Sequence, residues 1–124
     1  MELVDQEWFV ACLDVGHASL VGEEGADAIP VLGKKYLHAL HIQDTDYLKD
    51  MHTLPYLGKL EWDGTLKALA EIDYEDEFTL EASNFLKGFP VEFMQEVINF
   101  MGKVARYMAD QIEEEKQKIS SRRE

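Results

Sequence analysis

Tyr36-Leu37-His38-Ala39-Leu40-His41-Ile42-Gln43-Asp44 is the stretch from which the architecture of this chain can be read. From Tyr36 to Gln43 it is mostly apolar, free of Gly and Pro, and it gives way to the polar Asp44-Thr45-Asp46. Such a run predicts a β-strand. A comparable run lies upstream from Trp8 to Asp14, nearly continuously apolar, as expected for a parallel strand covered on both faces. A third lies downstream from Glu77 to Ala82. The segments between them read as connections and helices. After the first run come a turn at Val15-Gly16-His17, a Gly-containing connection and a short helix within Asp27 to Lys35, limited by Pro30 unless that residue sits in the first turn. After the second run, a loop of about a dozen residues carries Asp50, His52, Pro55 and Gly58, and long polar loops in compact domains are often functional. Asp63 is placed to cap a helix from Gly64 to Ile72, with Leu66, Leu69 and Ile72 as its buried stripe. A loop at Ser83-Asn84-Phe85 leads to a long amphipathic helix beginning near Pro90. Met94, Val97, Ile98, Met101, Val104, Ala105, Met108 and Ile112 hold its helical spacing. From Glu113 onward only charge remains, which predicts a solvated or frayed tail. Strand alternating with helix predicts an α/β fold with a parallel sheet and right-handed crossovers.

Composition bounds the rest. The chain has 124 residues, enough for one domain, expected to span 1–124 with 113–124 as its charged tail. Apolar residues make up 46% and the formal net charge is −13. That charge favours solubility and opposes docking on nucleic acid or an anionic membrane, which carry the same sign. It also suits a protein that gathers carboxylates around cations. One cysteine, Cys12, cannot form an internal disulfide, which fits a reducing compartment. No apolar stretch is long enough for a membrane span, and the acidic start Met1-Glu2-Leu3-Val4-Asp5 lacks the basic region of a signal peptide. A cytoplasmic protein is expected. There is no Gly-rich phosphate loop, no Ser-His-Asp arrangement and no basic patch with aromatics.

Ligand sites in open parallel sheets lie beyond the carboxyl ends of the strands, and side chains alternate across a strand with period two. Val10, Cys12 and Asp14 therefore share one face of the first strand. Leu37, Ala39, His41 and Gln43 share one face of the second, and Thr79 and Glu81 of the third. Each set ends in a potential metal ligand near the strand's C-terminus. The opposite sets (Phe9, Ala11, Leu13; Leu40, Ile42; Phe78, Leu80, Ala82) are apolar and suited to packing under helices. Asp, His and Glu at one level of three strands is the pattern a cation site requires, and a mixed oxygen and nitrogen shell suits Mn, Co or Zn, or Mg with fewer imidazoles. Taken singly, each has a plainer reading. Asp14 would satisfy turn amides, His41 would be an interior histidine with a partner, and Glu81 would pair with a base. Asp44 and Asp46 read as loop caps, His38 as a structural residue on the helix side, and Cys12 as a small core residue.

The wording around these positions is more specific. Asp14-Val15-Gly16-His17 spans a strand end, His41-Ile42-Gln43-Asp44 closes the next, Asp50-Met51-His52 follows in the loop before Leu60-Glu61-Trp62, and Glu81 stands in Thr79-Leu80-Glu81. In this order and spacing the chain, from about Val10 to Gln111, resembles the xylose isomerase-like family. That family includes sugar and sugar-phosphate isomerases, ketose 3-epimerases and metal-dependent apurinic endonucleases. The resemblance implies three βα units matching the last three strands and helices of a (β/α)8 TIM barrel, and so an incomplete barrel in this chain. It also implies that Asp14, His41 and Glu81 bind a divalent metal (Mn, Co, Mg or Zn). By the same resemblance, Glu81 takes part in proton transfer and His17 touches substrate or a second metal. Asp50 and His52 match a pair that serves further zinc ions in the endonucleases. The substrate implied is a sugar or sugar phosphate, with an apurinic-endonuclease-like zinc phosphodiesterase as the alternative. Two departures follow. The family's fourth metal ligand and the proton-transfer partner of Glu81 lie on strands preceding this chain's first, and Tyr47 stands where several epimerases place a substrate-gripping arginine. A third reading is accordingly a non-catalytic fragment. Three parallel strands leave unpaired edges, so homo-oligomerisation or association with a missing N-terminal half is expected.

Overall fold

The computed structural model describes residues 8–123. The acidic start at Met1–Asp5 and the terminal Glu124 lie outside them. Three strands form one sheet, β1 (Ala11–Asp14), β2 (Leu37–Ile42) and β3 (Glu77–Leu80), in the order β1-β2-β3. Both pairings are parallel. Asp14 stands opposite His41, and His41 opposite Thr79. An irregularity between Ala11 and Cys12 shifts the register by one residue at the start of β1. The strand is shorter there than the sequence suggests. Trp8, Phe9 and Val10 precede it and are exposed, so the expected cover on both faces is not found.

Helices fill the connections. The expected turn at Val15-Gly16-His17 is instead a short helix, α1 (Val15–Leu20), capped by Asp14, whose Oδ1 accepts from the His17 amide at 2.8 Å. A strand-end carboxylate that satisfies a first-turn amide starts a helix. The next helix, α2 (Gly25–Tyr36), is longer than the expected Asp27–Lys35 piece and accommodates Pro30, while Gly33, at φ 64° and ψ 172°, breaks it near its end. Helix α3 runs from Trp62 to Glu71, and its cap is Glu61 rather than Asp63: the Glu61 carboxylate accepts from the Gly64 amide at 2.8 Å. Ser83–Lys87 forms a short helix, α4, where a loop was expected, and a 3-10 turn at Val91–Phe93 leads into α5 (Met94–Arg123).

The core lies on one side of the sheet. Leu40 and Ile42 of β2 are buried with Ile29 of α2, Leu66 and Leu69 of α3, and Met108 and Ile112 of α5. These are the residues whose alternation on β2 and helical spacing on α3 and α5 predict a buried side. Tyr74 closes the lower end, its hydroxyl donating to the Glu77 carbonyl at 2.7 Å. Burial pushes this phenol's pKa far above its ordinary value, the nearby Asp76 carboxylate adding to the shift. The other side of the sheet carries Cys12, which is exposed rather than a small core residue, together with Thr79, also exposed. None of the helices described is long and apolar enough to cross a membrane.

The loop between β2 and α3 is built around Asp44, a fully buried carboxylate. Its Oδ1 accepts from the amides of Thr45 (2.9 Å) and Leu60 (3.0 Å), and its Oδ2 from the Tyr56 amide (2.9 Å) and the Trp62 indole (2.8 Å). Gly58 packs so tightly against the Asp44 carboxylate and the Thr45 carbonyl that a Cβ there would collide with both. An Asp44–Thr53 bridge completes the loop. Asp46 caps a turn through the amides of Leu48 (3.0 Å) and Lys49 (2.8 Å), and these two bonds hold its carboxyl below the ordinary range.

Candidate metal centre

The parallel register brings Asp14, at the end of β1, beside His41 on β2, and Glu81 follows directly after β3. The Glu81 amide donates to the Ile42 carbonyl at 2.8 Å, which sets the level at which its side chain leaves the sheet. His41 Nδ1 stands 3.4 Å from Glu81 Oε2 and 4.0 Å from Asp14 Oδ2. Each of the three offers a ligand atom within 4.8 Å of the others. The sequence places these residues at one level; the structure brings them within reach of one another.

A second group adjoins the first. His17, on α1, reaches across to the β2–α3 loop, where its Nε2 lies 3.1 Å from Asp50 Oδ1, and Asp50 Oδ1 lies 2.8 Å from His52 Nδ1. The His17 and His52 rings meet edge to face with centroids 5.1 Å apart. Ligand atoms of His17, Asp50 and His52 also lie within 4.8 Å of one another. Two contacts join the groups: His17 Nδ1 to Asp14 Oδ2 at 2.7 Å, and His52 Nε2 to Glu81 Oε2 at 3.8 Å. Six residues from four segments thus form one continuous array of three imidazoles and three carboxylates. The pKa of His17 is raised, chiefly by its hydrogen bond to Asp50; desolvation opposes the shift, and the charges of Asp14 and Asp50 add to it.

The donor set fits divalent cations. Atoms on opposite sides of an ion bound at 2.0–2.2 Å stand about 4.2 Å apart, so either group closes on an ion through small side-chain rotations. Mixed imidazole and carboxylate ligands suit Zn, Mn or Co better than Ca. Asp14 is the least exposed of the first group's side chains, at 17%, and His52 of the second, at 20%. The remaining four are open to solvent, as a site that admits a ligand must be.

Other residues singled out from the sequence stand elsewhere. Asp44 and Asp46 organise the loop through its amides. His38 is on the far side, 3.0 Å from Asp76 Oδ2 and 3.3 Å from the Lys35 carbonyl. Tyr47 packs against the core. Sequence reasoning did not assign roles to Gln43, Gly16 and Asn84. Gln43 is fully buried between the two groups, and its place two residues beyond His41 on the same face was the signal for it. Gly16 leaves the space that the Gln43 side chain fills. Asn84 grips the loop from α4, donating its amide to the His52 carbonyl at 3.2 Å and its side-chain nitrogen to the Met51 carbonyl at 2.8 Å.

Comparison with known proteins adds family information. A family model described as "Xylose isomerase-like TIM barrel" matches residues 1–104. A protein of Sinorhizobium fredii (strain NBRC 101917 / NGR234), "Uncharacterized protein y4fM", is 37% identical over 70 residues, which cover 56% of this chain and 22% of that protein. The match therefore spans less than a quarter of the relative's length. No solved structure matches the chain.

Proposed function

The chain belongs to the xylose isomerase-like TIM barrel family, and from that premise we propose that it serves a metal-dependent isomerase or epimerase acting on a sugar or sugar phosphate. The observation that carries this reading is the convergence of Asp14, His41 and Glu81 from three adjacent strands, with donor atoms within 4.8 Å of one another. Their position at the carboxyl end of a parallel sheet is where such folds place their chemistry. A divalent cation bound there supplies Lewis-acid stabilisation of the negative charge that develops on a substrate oxygen as a proton leaves the adjacent carbon. The protein's own residues do the rest. The His17 amide orients Asp14 through Oδ1, and Oδ2 faces the imidazoles of His17 and His41. Glu81, beside His41 and partly exposed, is placed to accept the proton from carbon. His17 stands half exposed at the rim, where a substrate hydroxyl would replace its contact with Asp50.

The test has two arms. Zn2+ or Mn2+ titrated into the purified protein is expected to bind, and Asp14→Asn or His41→Gln to weaken binding at least tenfold. Incubating the metal-loaded protein in D2O with a panel of ketoses and their phosphates should place deuterium beside the carbonyl, and Glu81→Gln should abolish it. Unchanged metal affinity in all three variants would overturn the assignment.

The second group favours another reading, a zinc phosphodiesterase of the apurinic endonuclease type, because His17, Asp50 and His52 provide ligands for additional ions. The net charge of −13 opposes it, since duplex DNA is bound through basic surface. Cleavage of an oligonucleotide duplex carrying one abasic site distinguishes the two. Exposed apolar side chains before β1 and along α5 favour a further element of the proposal, association with copies of this chain or with a complementary polypeptide.

A further inference from the structure

Gln43 directs both ends of one buried carboxamide to the two groups of ligands. Its Nε2 donates towards both oxygens of Asp14, at 3.3 Å to Oδ1 and 3.5 Å to Oδ2, and its Oε1 accepts from the His52 amide at 2.9 Å. The network itself assigns the amide orientation. The opposite flip would set oxygen against carboxylate and nitrogen against an N–H donor. Asp14 belongs to the first group and His52 to the second. His52 has φ 44°, the left-handed region that a non-glycine residue holds only under constraint. Two bonds supply that constraint, from Gln43 to its amide and from Asn84 to its carbonyl at 3.2 Å. The Gln43 side chain is fully buried and packs against Gly16, where an added Cβ would collide with its Cγ and Cδ and force it to shift.

We infer that Gln43 is a positioning residue that couples the two candidate cation sites, so that an ion in one raises the affinity of the other. The inference rests on the metal-binding reading above, extended to an ion held by His17, Asp50 and His52. An ion at Asp14, His41 and Glu81 fixes the Asp14 carboxylate and, through it, the Gln43 carboxamide. The carboxamide in turn holds the His52 backbone in the conformation that presents its ring to His17 and Asp50. The second ion then meets ligands that are already ordered, and its binding loses less conformational entropy. The coupling is reciprocal by linkage. Outer partners of metal ligands change affinity by about 10–100-fold when removed, so an effect of that size is expected at whichever site fills second.

The experiment is calorimetric titration of the full chain with Zn2+ alone. The wild-type protein is compared with Gln43→Met, which has similar length and no hydrogen bonds, and Gln43→Glu, which keeps the acceptor for the His52 amide but sets a negative charge against Asp14. Circular dichroism of the metal-free proteins checks folding. Gly16→Ala provides an independent variant, displacing the Gln43 side chain without altering it. The wild type is expected to take up two ions with positive coupling. Gln43→Met should still take up two ions, with the second bound on the order of 10–100-fold more weakly, and Gly16→Ala should shift in the same direction. Two ions bound independently by the wild type, or coupling undiminished in Gln43→Met and Gly16→Ala, would overturn the coupling role while leaving the metal site standing. No binding by the wild type would remove both.

Discussion

Asp44 stands one residue from Gln43 and has a different task. Its carboxylate accepts from three backbone amides and an indole, all at 2.8–3.0 Å, with no exposure to water. Donors stranded by its removal would each cost about 1–3 kcal/mol. Asp44→Ala is therefore expected to destabilise the fold by about 3 kcal/mol or more, read from urea unfolding followed by the fluorescence of Trp62. Asp44→Asn retains one acceptor oxygen for Thr45 and Leu60 and loses the other pair, so its loss should be intermediate. A fully folded, equally stable Asp44→Ala protein would contradict the loop's dependence on this residue. From sequence, Asp44 reads as a loop cap and Asp14 as a ligand, although each is a carboxylate ending a strand. What separates them is burial: Asp44 is enclosed by donors, whereas Asp14 keeps one side facing the imidazoles of His17 and His41.

Helix α5 shows where element-scale reading succeeds and fails. Val97, Met108 and Ile112 are buried as their spacing predicts, but Ile98 in the same stripe is 53% exposed. The stripe is wider than the surface that α3 and β3 present to it. Met108 is expected to carry most of the helix's anchoring. Met108→Ala should cost about 2–5 kcal/mol as a buried large-to-small change, while Phe100→Ser, at an exposed position, should stay within about 0.5 kcal/mol. Thermal melts of the two variants compare them directly. Beyond Glu113 the sequence predicts fraying, yet the helix runs to Arg123. Lys116 reaches the Tyr74 carbonyl at 2.6 Å and Glu113 at 3.0 Å, Lys118 pairs with Glu115 at 2.6 Å, and Ile119 packs against the core. Ile119, seven residues beyond Ile112, is an apolar signal that the charged reading passed over, whereas the reach of Lys116 to Tyr74 could be read only once the neighbouring segment was in place.

At the scale of the molecule, the described residues form a three-stranded sheet with helices on one side and the candidate site at its carboxyl end. Trp8 (79% exposed), Phe9 (61%), Val91 (78%) and Phe93 (54%) leave considerable apolar surface in water. The parallel sheet ends at β1 on one side and β3 on the other. Strand edges of this kind favour pairing with another chain. Light scattering on the purified protein is expected to give a mass above the 14.2 kDa of one chain, falling towards that value when Trp8 and Phe93 are both replaced by Ser. A monodisperse single chain at micromolar concentration would argue against self-association.

Period-two alternation on β2 and the three apolar runs were enough, from sequence alone, to determine a parallel α/β sheet with Asp14, His41 and Glu81 at strand ends. Side-chain direction in a strand is local geometry and needs no partner to be read. Strand limits, the extra helices α1 and α4, the change of cap from Asp63 to Glu61, and the exposure of Cys12 depended on which surfaces another segment covers. The second ligand group shows the same division. Asp50-Met51-His52 is legible as a motif, but its meeting with His17 required the loop to fold back under Asp44, Gln43 and Asn84. Those contacts join residues distant in the chain, and only the folded structure brings them together.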